Sequence, residues 1–339
     1  MQSELNNLPS RAGKASTCAV SLAGRNPACY REARTTAANK RRKRKVMDME
    51  HAKSWRILTP HRPLFGEQVE PYPATRFFDQ LSFIGTPNVG CFVLETEEGV
   101  ILLDCMEPLD EHRDMIVQGF ADLGIELGAL KAILITHGHG DHYGRADWFR
   151  EQTGCKIYMS QVDFAFAQQD TRNRTGVLKW NVDGFLEDGD VFRLGGTEIH
   201  CYATPGHTPG GLSFIFPVTD EGRPHWVAMW GGTGIPWKLS DKVQYLRSTL
   251  YFAQATERMG CDAEIATHPF VDKGIQRLDL VRNICNGVAN PFVLGKENYK
   301  YYERMFTDMC LDAMAEQAAQ ADPLLPPPPP RPSAKKEKE

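Results

Sequence analysis

Apolar residues along this chain fall into short runs divided by polar turns, and the runs follow two periods. Leu81–Gly85 and Gly90–Glu95 alternate or run apolar, and Gly99–Asp104 follows after a Glu-Glu-Gly turn, a pattern that predicts hairpin-linked strands. Asp110–Leu123 instead places Met115, Ile116, Phe120 and Leu123 at helical spacing. Leu130–Ile135 predicts a strand, Arg145–Glu151 a helix, Lys156–Met159 a strand and Val162–Gln169 a helix. This alternation predicts a layered α/β architecture.

The second half is richer in strands. Val191–Leu194 and Thr197–Ala203 predict two strands around the Gly195-Gly196 turn, Leu212–Phe216 and His225–Trp230 two more, Gln244–Arg258 a helix and Glu264–Thr267 a last strand. The expectation is two sheets packed face to face with helices outside, a four-layer αββα sandwich of the α/β class with C-terminal helices. Ile275–Cys285 and Tyr299–Met314 predict amphipathic helices that either cover the sandwich or hold a second subunit in a homo-oligomer, and packing is the favoured reading. The expected organisation is a disordered basic segment over residues 1–54, a catalytic domain over 55–272, a helical extension over 273–320 and a Pro-rich, charged tail over 321–339.

Composition narrows the partners. With 339 residues, 42% hydrophobic and 24% charged, the chain is long enough for one sizeable core plus appendages. A formal net charge of -4 supplies no overall attraction to nucleic acid or to an anionic membrane. The exception is Lys40-Arg41-Arg42-Lys43-Arg44-Lys45, read either as a nuclear address or nucleic-acid arm, or as a solvated tail ahead of a true start at Met47 or Met49. The solvated tail is favoured. Nine cysteines, widely scattered and without a Cys-x-x-Cys pair, read as reduced thiols. No window approaches the roughly 20 apolar residues of a membrane span, and Met1–Ser10 lacks a signal-peptide pattern. A cytoplasmic location with no membrane partner is expected.

The chemistry concentrates in Thr136–Gly144, which reads Thr-His-Gly-His-Gly-Asp-His-Tyr-Gly directly behind an apolar strand. Neutral imidazole and carboxylate are what zinc takes from a protein without paired thiolates, and Gly138 and Gly140 permit a tight loop that turns successive side chains to one point. No helix is expected to present them so. The alternative is a His-rich surface loop, but His137, His139, Asp141 and His142 together make a metal site the better reading.

This His-x-His-x-Asp-His run resembles the signature of the metallo-β-lactamase fold superfamily, and the likeness extends over roughly Ile57 to Phe270. Thr204-Pro205-Gly206-His207-Thr208-Pro209-Gly210 resembles the second histidine motif and Ala266-Thr267-His268-Pro269 the last. The resemblance implies the αββα fold and two zinc ions, the first held by His137, His139 and His207, the second by Asp141, His142 and His268. It also implies a hydroxide between the metals as nucleophile, oriented by the catalytic Asp141. Asp104 resembles an aspartate that braces the metal loop without being a ligand; a turn or helix N-cap aspartate is the alternative. Where many members carry a bridging aspartate, this chain reads Trp230-Gly231-Gly232-Thr233, so that Gly232 replaces the carboxylate. That pattern resembles the β-lactamase subclass with an Asp-His-His second site and weakens the likeness to glyoxalase-type thioesterases.

The implied function is zinc-dependent hydrolysis of a carbonyl bond (ester, lactone, thioester, amide or β-lactam) in a small molecule. A nuclease or phosphodiesterase of the same fold is the alternative, disfavoured by the acidic balance and the missing bridging carboxylate. A non-catalytic scaffold is the third, disfavoured because all six ligands are present. β-Lactam cleavage fits the ligands but not the absence of an export signal. His61, His112, His200 and His225 lie off the motifs and read as ordinary surface or core residues. Trp230, Trp237, Tyr143 and Phe270 lie near motif ends, where core packing is favoured over a pocket role.

Overall fold

The computed structural model describes residues 70–321, apart from 172–175 and 284–288. The basic segment over 1–54, His61 and the tail from residue 322 on lie outside the described residues. One sheet runs in the order β1 (Tyr72–Arg76), β2 (Leu81–Gly85), β3 (Gly90–Thr96), β4 (Gly99–Leu103), β5 (Leu130–Leu134), β6 (Lys156–Met159) and β7 (Gly184–Phe185). Pairing is antiparallel from β1 to β4 and parallel from β4 to β7. The second sheet runs β12 (Ala263–Ile265), β11 (Arg223–Met229), β10 (Leu212–Asp220), β9 (Thr197–Ala203) and β8 (Val191–Leu194), with only β11 and β12 parallel. β1 and β7 escape the apolar pattern: Pro73 interrupts β1, which its edge position tolerates, and β7 has too few residues to show a period.

Alternation along the strands builds the layers. Phe92, Leu94, Ile101, Leu103 and Leu134 face one way and meet Ile199, Phe214, Phe216, Val227 and Ile265 of the other sheet. Val93, Leu102, Ile133 and Ile157 face the opposite way, onto Ile116 and Phe120 of the helix Asp110–Asp122 and Phe149 of the helix Ala146–Thr153. Strands buried on both faces read as continuous apolar runs, which is why β2 to β5 were legible. On the far side of the second sheet, Ile215, Ala228 and Trp230 pack under Tyr245 and Phe252 of the helix Leu239–Met259 and Phe306 and Cys310 of the helix Lys296–Ala321. The result is the expected αββα sandwich, with the C-terminal helix laid on it. Both helices exceed their expected ranges because polar residues fill their ends. Lys242, buried in the first turn of the earlier helix, donates to Trp237 O (2.7 Å) and Gln317 Oε1 (2.8 Å).

Two backbone hydrogen bonds join the sheets at one edge. Leu212 N at the start of β10 donates to Thr136 O beyond β5 (2.7 Å), and Gly90 N of β3 donates to Thr267 O beyond β12 (2.8 Å). The loops that leave the strand ends here carry every motif histidine. No helix among the described residues is long and apolar enough to cross a membrane.

Candidate metal centre

At that edge the six expected ligands converge as two triads, His137, His139 and His207 in one and Asp141, His142 and His268 in the other. Within each triad the ligand atoms lie within 4.8 Å of one another. His137 and His139 sit on extended chain after β5, with His139 at φ -80° and ψ 148°. Asp141 and His142 follow on the helical turn Gly140–Tyr143. The expectation that no helix presents these residues is thus corrected: a single turn carries two of them, too short to leave a period in the sequence. His207 lies on the loop after β9 and His268 on the loop after β12.

Four of the five imidazoles have one ring nitrogen tied to an oxygen, which fixes the ring and leaves the other nitrogen facing the centre. His137 Nδ1 lies 3.0 Å from Thr136 Oγ1, His142 Nδ1 2.7 Å from Asp104 Oδ2, His207 Nδ1 2.7 Å from Gly234 O and His268 Nδ1 2.8 Å from Asn88 O. Facing nitrogens then meet: His139 Nδ1 and His207 Nε2 are 3.0 Å apart, His142 Nε2 and His268 Nε2 3.2 Å. Asp141 stands 3.7 Å from both His142 Nε2 and His268 Nε2. His137 Nε2 is buried with no hydrogen-bond partner, a condition that costs free energy in a finished protein interior and that a metal ion would relieve. Imidazole and carboxylate donors in threes, with the outer nitrogens anchored, fit zinc.

The electrostatics of His137, His207 and Asp141 agree with ligand-ready protonation, and His142 is the exception. Burial and the surrounding imidazoles push His137 well below its ordinary value, and burial together with His139 brings His207 down to about 3, so both rings are neutral at pH 7. Burial alone would raise the Asp141 carboxyl, but the imidazoles of His142, His268 and His139 hold it at about 2 and keep it ionised. Burial opposes protonation of His142, yet Asp141 and Asp104 outweigh it and raise its pKa.

Asp104 is fully buried at φ 59°, a left-handed conformation that non-glycine residues adopt at a cost. Its Oδ1 accepts from Thr136 N (2.7 Å), and its Oδ2 accepts from Thr136 Oγ1 (2.8 Å) and His142 Nδ1. It caps no helix among the described residues, and its contacts run to Thr136 and His142 of the motif loop.

Residues 85–220 match the metallo-beta-lactamase superfamily profile. Among solved structures, a subclass B3 metallo-beta-lactamase of Bradyrhizobium japonicum superposes with a TM-score of 0.66 at 24% identity, covering 77% of this chain and 100% of that one. The chain has the metallo-beta-lactamase fold, and residues 85–220 resemble that superfamily in sequence. By sequence, the chain is 35% identical to the probable polyketide biosynthesis zinc-dependent hydrolase BaeB of Bacillus velezensis, over 37% of this chain and 49% of that protein. It is 32% identical to the hydroxyacylglutathione hydrolase GloC of Haemophilus influenzae, over 30% of this chain and 50% of that one. The chain spans about half the length of these curated relatives.

Gly232 has a local physical reason. A Cβ there would stand 2.6 Å from His207 Cβ and 3.0 Å from its Cγ, so any side chain would displace that histidine. The remaining expectations divide. His112, His200 and His225 join neither triad, and His225 pairs instead with Asp262 (2.8 Å). Trp230 and Tyr143 are core; Trp230 Nε1 donates to Gly232 O (2.6 Å) and Tyr245 Oη (3.0 Å). Trp237 is 87% exposed, and the Phe270 ring lies 5.3 Å from that of His268.

Sequence reading missed Asp163. It lies in the first turn of the helix Gln161–Ala167, capped by the Ser160 side chain, which accepts from Asp163 N. Its carboxylate is fully buried; burial raises its pKa, while hydrogen bonds from Thr208, Gly138 and Gly210 oppose the rise. The only local signal was Ser160 three positions before it, an N-cap spacing that places the residue without revealing its partners.

Proposed function

We propose that this chain is a dizinc hydrolase that cleaves a carbonyl bond of a small molecule, with His137, His139 and His207 holding one ion and Asp141, His142 and His268 the other. The observation that carries this reading is the pair of converging triads, one of which contains a buried imidazole nitrogen without a partner. The names of the two relatives, a probable zinc-dependent hydrolase and a hydroxyacylglutathione hydrolase, support the same class. Zinc held by these residues would polarise a carbonyl oxygen and bring the pKa of a water molecule down to about 7.

The chain's own residues supply the rest. His137 and His207 stay neutral at pH 7 and keep their lone pairs available. Asp141, ionised, brings the single negative charge of the second triad, and a carboxylate oxygen can accept a hydrogen bond from the attacking water and orient it. Asp104 and the carbonyls of Asn88 and Gly234 hold the rings so that these groups need not reorganise during the reaction. Ester, lactone, thioester and β-lactam substrates share this chemistry, and the loops around the centre select among them.

The test is zinc analysis of the purified chain followed by hydrolysis assays on lactone, thioester, ester, β-lactam and phosphodiester panels, with and without chelator. Chelator-sensitive turnover of a carbonyl substrate, lost at least roughly 100-fold in Asp141→Asn, is expected. Cleavage of phosphodiesters alone would replace this reading with a phosphodiesterase, and absence of bound zinc would end it.

A further inference from the structure

Two loops supply the first triad, and one buried carboxylate grips both. Asp163 Oδ2 accepts from Gly138 N (2.8 Å), the peptide between His137 and His139, and from Thr208 Oγ1 (2.6 Å), the residue after His207. Its Oδ1 accepts from Gly210 N (2.6 Å), further along the His207 loop. The helix that carries Asp163 sits so close to both loops that neither tolerates a side chain at the contact. A Cβ on Gly138 would lie 2.7 Å from Asp163 O, and one on Gly210 would lie 2.6 Å from Ser160 Oγ and 2.7 Å from Asp163 N. The second triad is anchored elsewhere, His142 by Asp104 and His268 by Asn88 O.

From this we infer that Asp163 is a positioning residue of the three-histidine site: it sets the distance between the His137/His139 loop and the His207 loop, and thereby the metal affinity of that site and not of its neighbour. The inference rests on the metal reading proposed above. Asp163 acts through two peptide N–H groups and the Thr208 hydroxyl, all on the loops that carry the histidines. Carboxylate is required because two of its three donors are backbone N–H groups, which can only donate, and they approach different oxygens. An asparagine of the same shape turns its NH2 against one of those N–H groups in either orientation. The Thr208 hydroxyl can rotate to accept, but the peptide cannot. One loop must then move away from the other.

The test measures Zn2+ affinity, with zinc alone as the ligand and a competing chelator, in two single-site backgrounds. His268→Ala leaves the first triad intact and His207→Ala leaves the second. Adding Asp163→Asn is expected to weaken zinc binding about 10- to 100-fold in the His268→Ala background, the range for loss of an outer-shell partner, and by less than about 3-fold in the His207→Ala background. Thr208→Val, which removes one donor and leaves the carboxylate, is expected to give a smaller loss in the first background only. Melting of the metal-free proteins supplies the readout for a general folding defect. Equal losses in both backgrounds, tracking a lowered metal-free melting temperature, would overturn the inference by showing a merely structural aspartate. So would unchanged affinity at the first triad in both the Asn and Val variants. If neither single-site parent binds zinc, the metal reading itself fails, an outcome distinct from parents that bind zinc and do not respond to position 163.

Discussion

Replacing Asp104 with asparagine separates stability from metal binding. Carboxylate oxygens only accept, so the 2.7 Å contact between Asp104 Oδ2 and His142 Nδ1 places the imidazole proton on Nδ1 and leaves the Nε2 lone pair facing Asp141 and His268. Thr136 N, 2.7 Å from Oδ1, demands an oxygen. The asparagine oxygen therefore stays on Thr136 N, and its NH2 falls toward Thr136 Oγ1 and His142 Nδ1. That NH2 donates to Nδ1, and the imidazole proton moves to Nε2, where it blocks coordination.

Three charge-assisted hydrogen bonds become neutral ones, each weaker by about 1 kcal/mol, offset in part because a buried charge is removed. A net cost of about 1–3 kcal/mol leaves a folded protein out of a usual stability of about 5–15 kcal/mol. Asparagine also tolerates the φ of 59° at this position, so the backbone adds little strain, whereas alanine would add about 1–2 kcal/mol. Zinc affinity at the second triad should fall about 10- to 100-fold, equivalent to about 1.4–2.7 kcal/mol, with a smaller loss at the first triad, which Asp104 reaches only through Thr136 Oγ1 and His137 Nδ1. The assay is zinc titration against a chromophoric chelator, paired with thermal melting of the metal-free protein. Two ions held at parental affinity by Asp104→Asn would refute the tautomer argument; a larger loss from the three-histidine site than from the second would show that Asp104 acts chiefly on the other triad.

Other perturbations probe neighbouring parts of the molecule. His268→Ala should reduce bound zinc after gentle dialysis from about two per chain to about one, because the three-histidine site does not depend on it; elemental analysis showing two would exclude His268 as a ligand. Gly232→Asp should weaken the first site roughly 10-fold or more through displacement of His207, and a tightened pair of ions would show instead that a bridging carboxylate fits. Glu303, beneath Thr256 Oγ1 (2.9 Å), is pushed up to about 7 by burial from an ordinary 4.5. Because the folded-state pKa is the higher one, its contribution is fully present below about pH 4.5 and is lost as pH rises through about 7. Glu303→Gln should therefore gain up to about 3 kcal/mol over the parent at pH 8 and little at pH 4.5; denaturant melts with the same difference at both pH values would contradict the sign.

Sequence by itself determined the layered α/β class, the central strands and four of the six candidate ligands. Strands such as β3 to β5, buried on both faces, must be apolar along their whole length, and the run from His137 to His142 is local enough to be read as a unit. His207 and His268 were legible only through resemblance, since they join partners 68 and 126 residues away. Tertiary structure alone decided what holds the rings. Asp163 reaches donors 25, 45 and 47 residues distant, and His268 leans on a carbonyl 180 residues earlier. Gly232 read as a missing carboxylate until its contact with His207 showed that no side chain fits. Local periodicity records which face of an element is buried. The partner of a single buried polar group is set by which loops the two sheets bring to the same edge, and no period in the chain encodes that meeting.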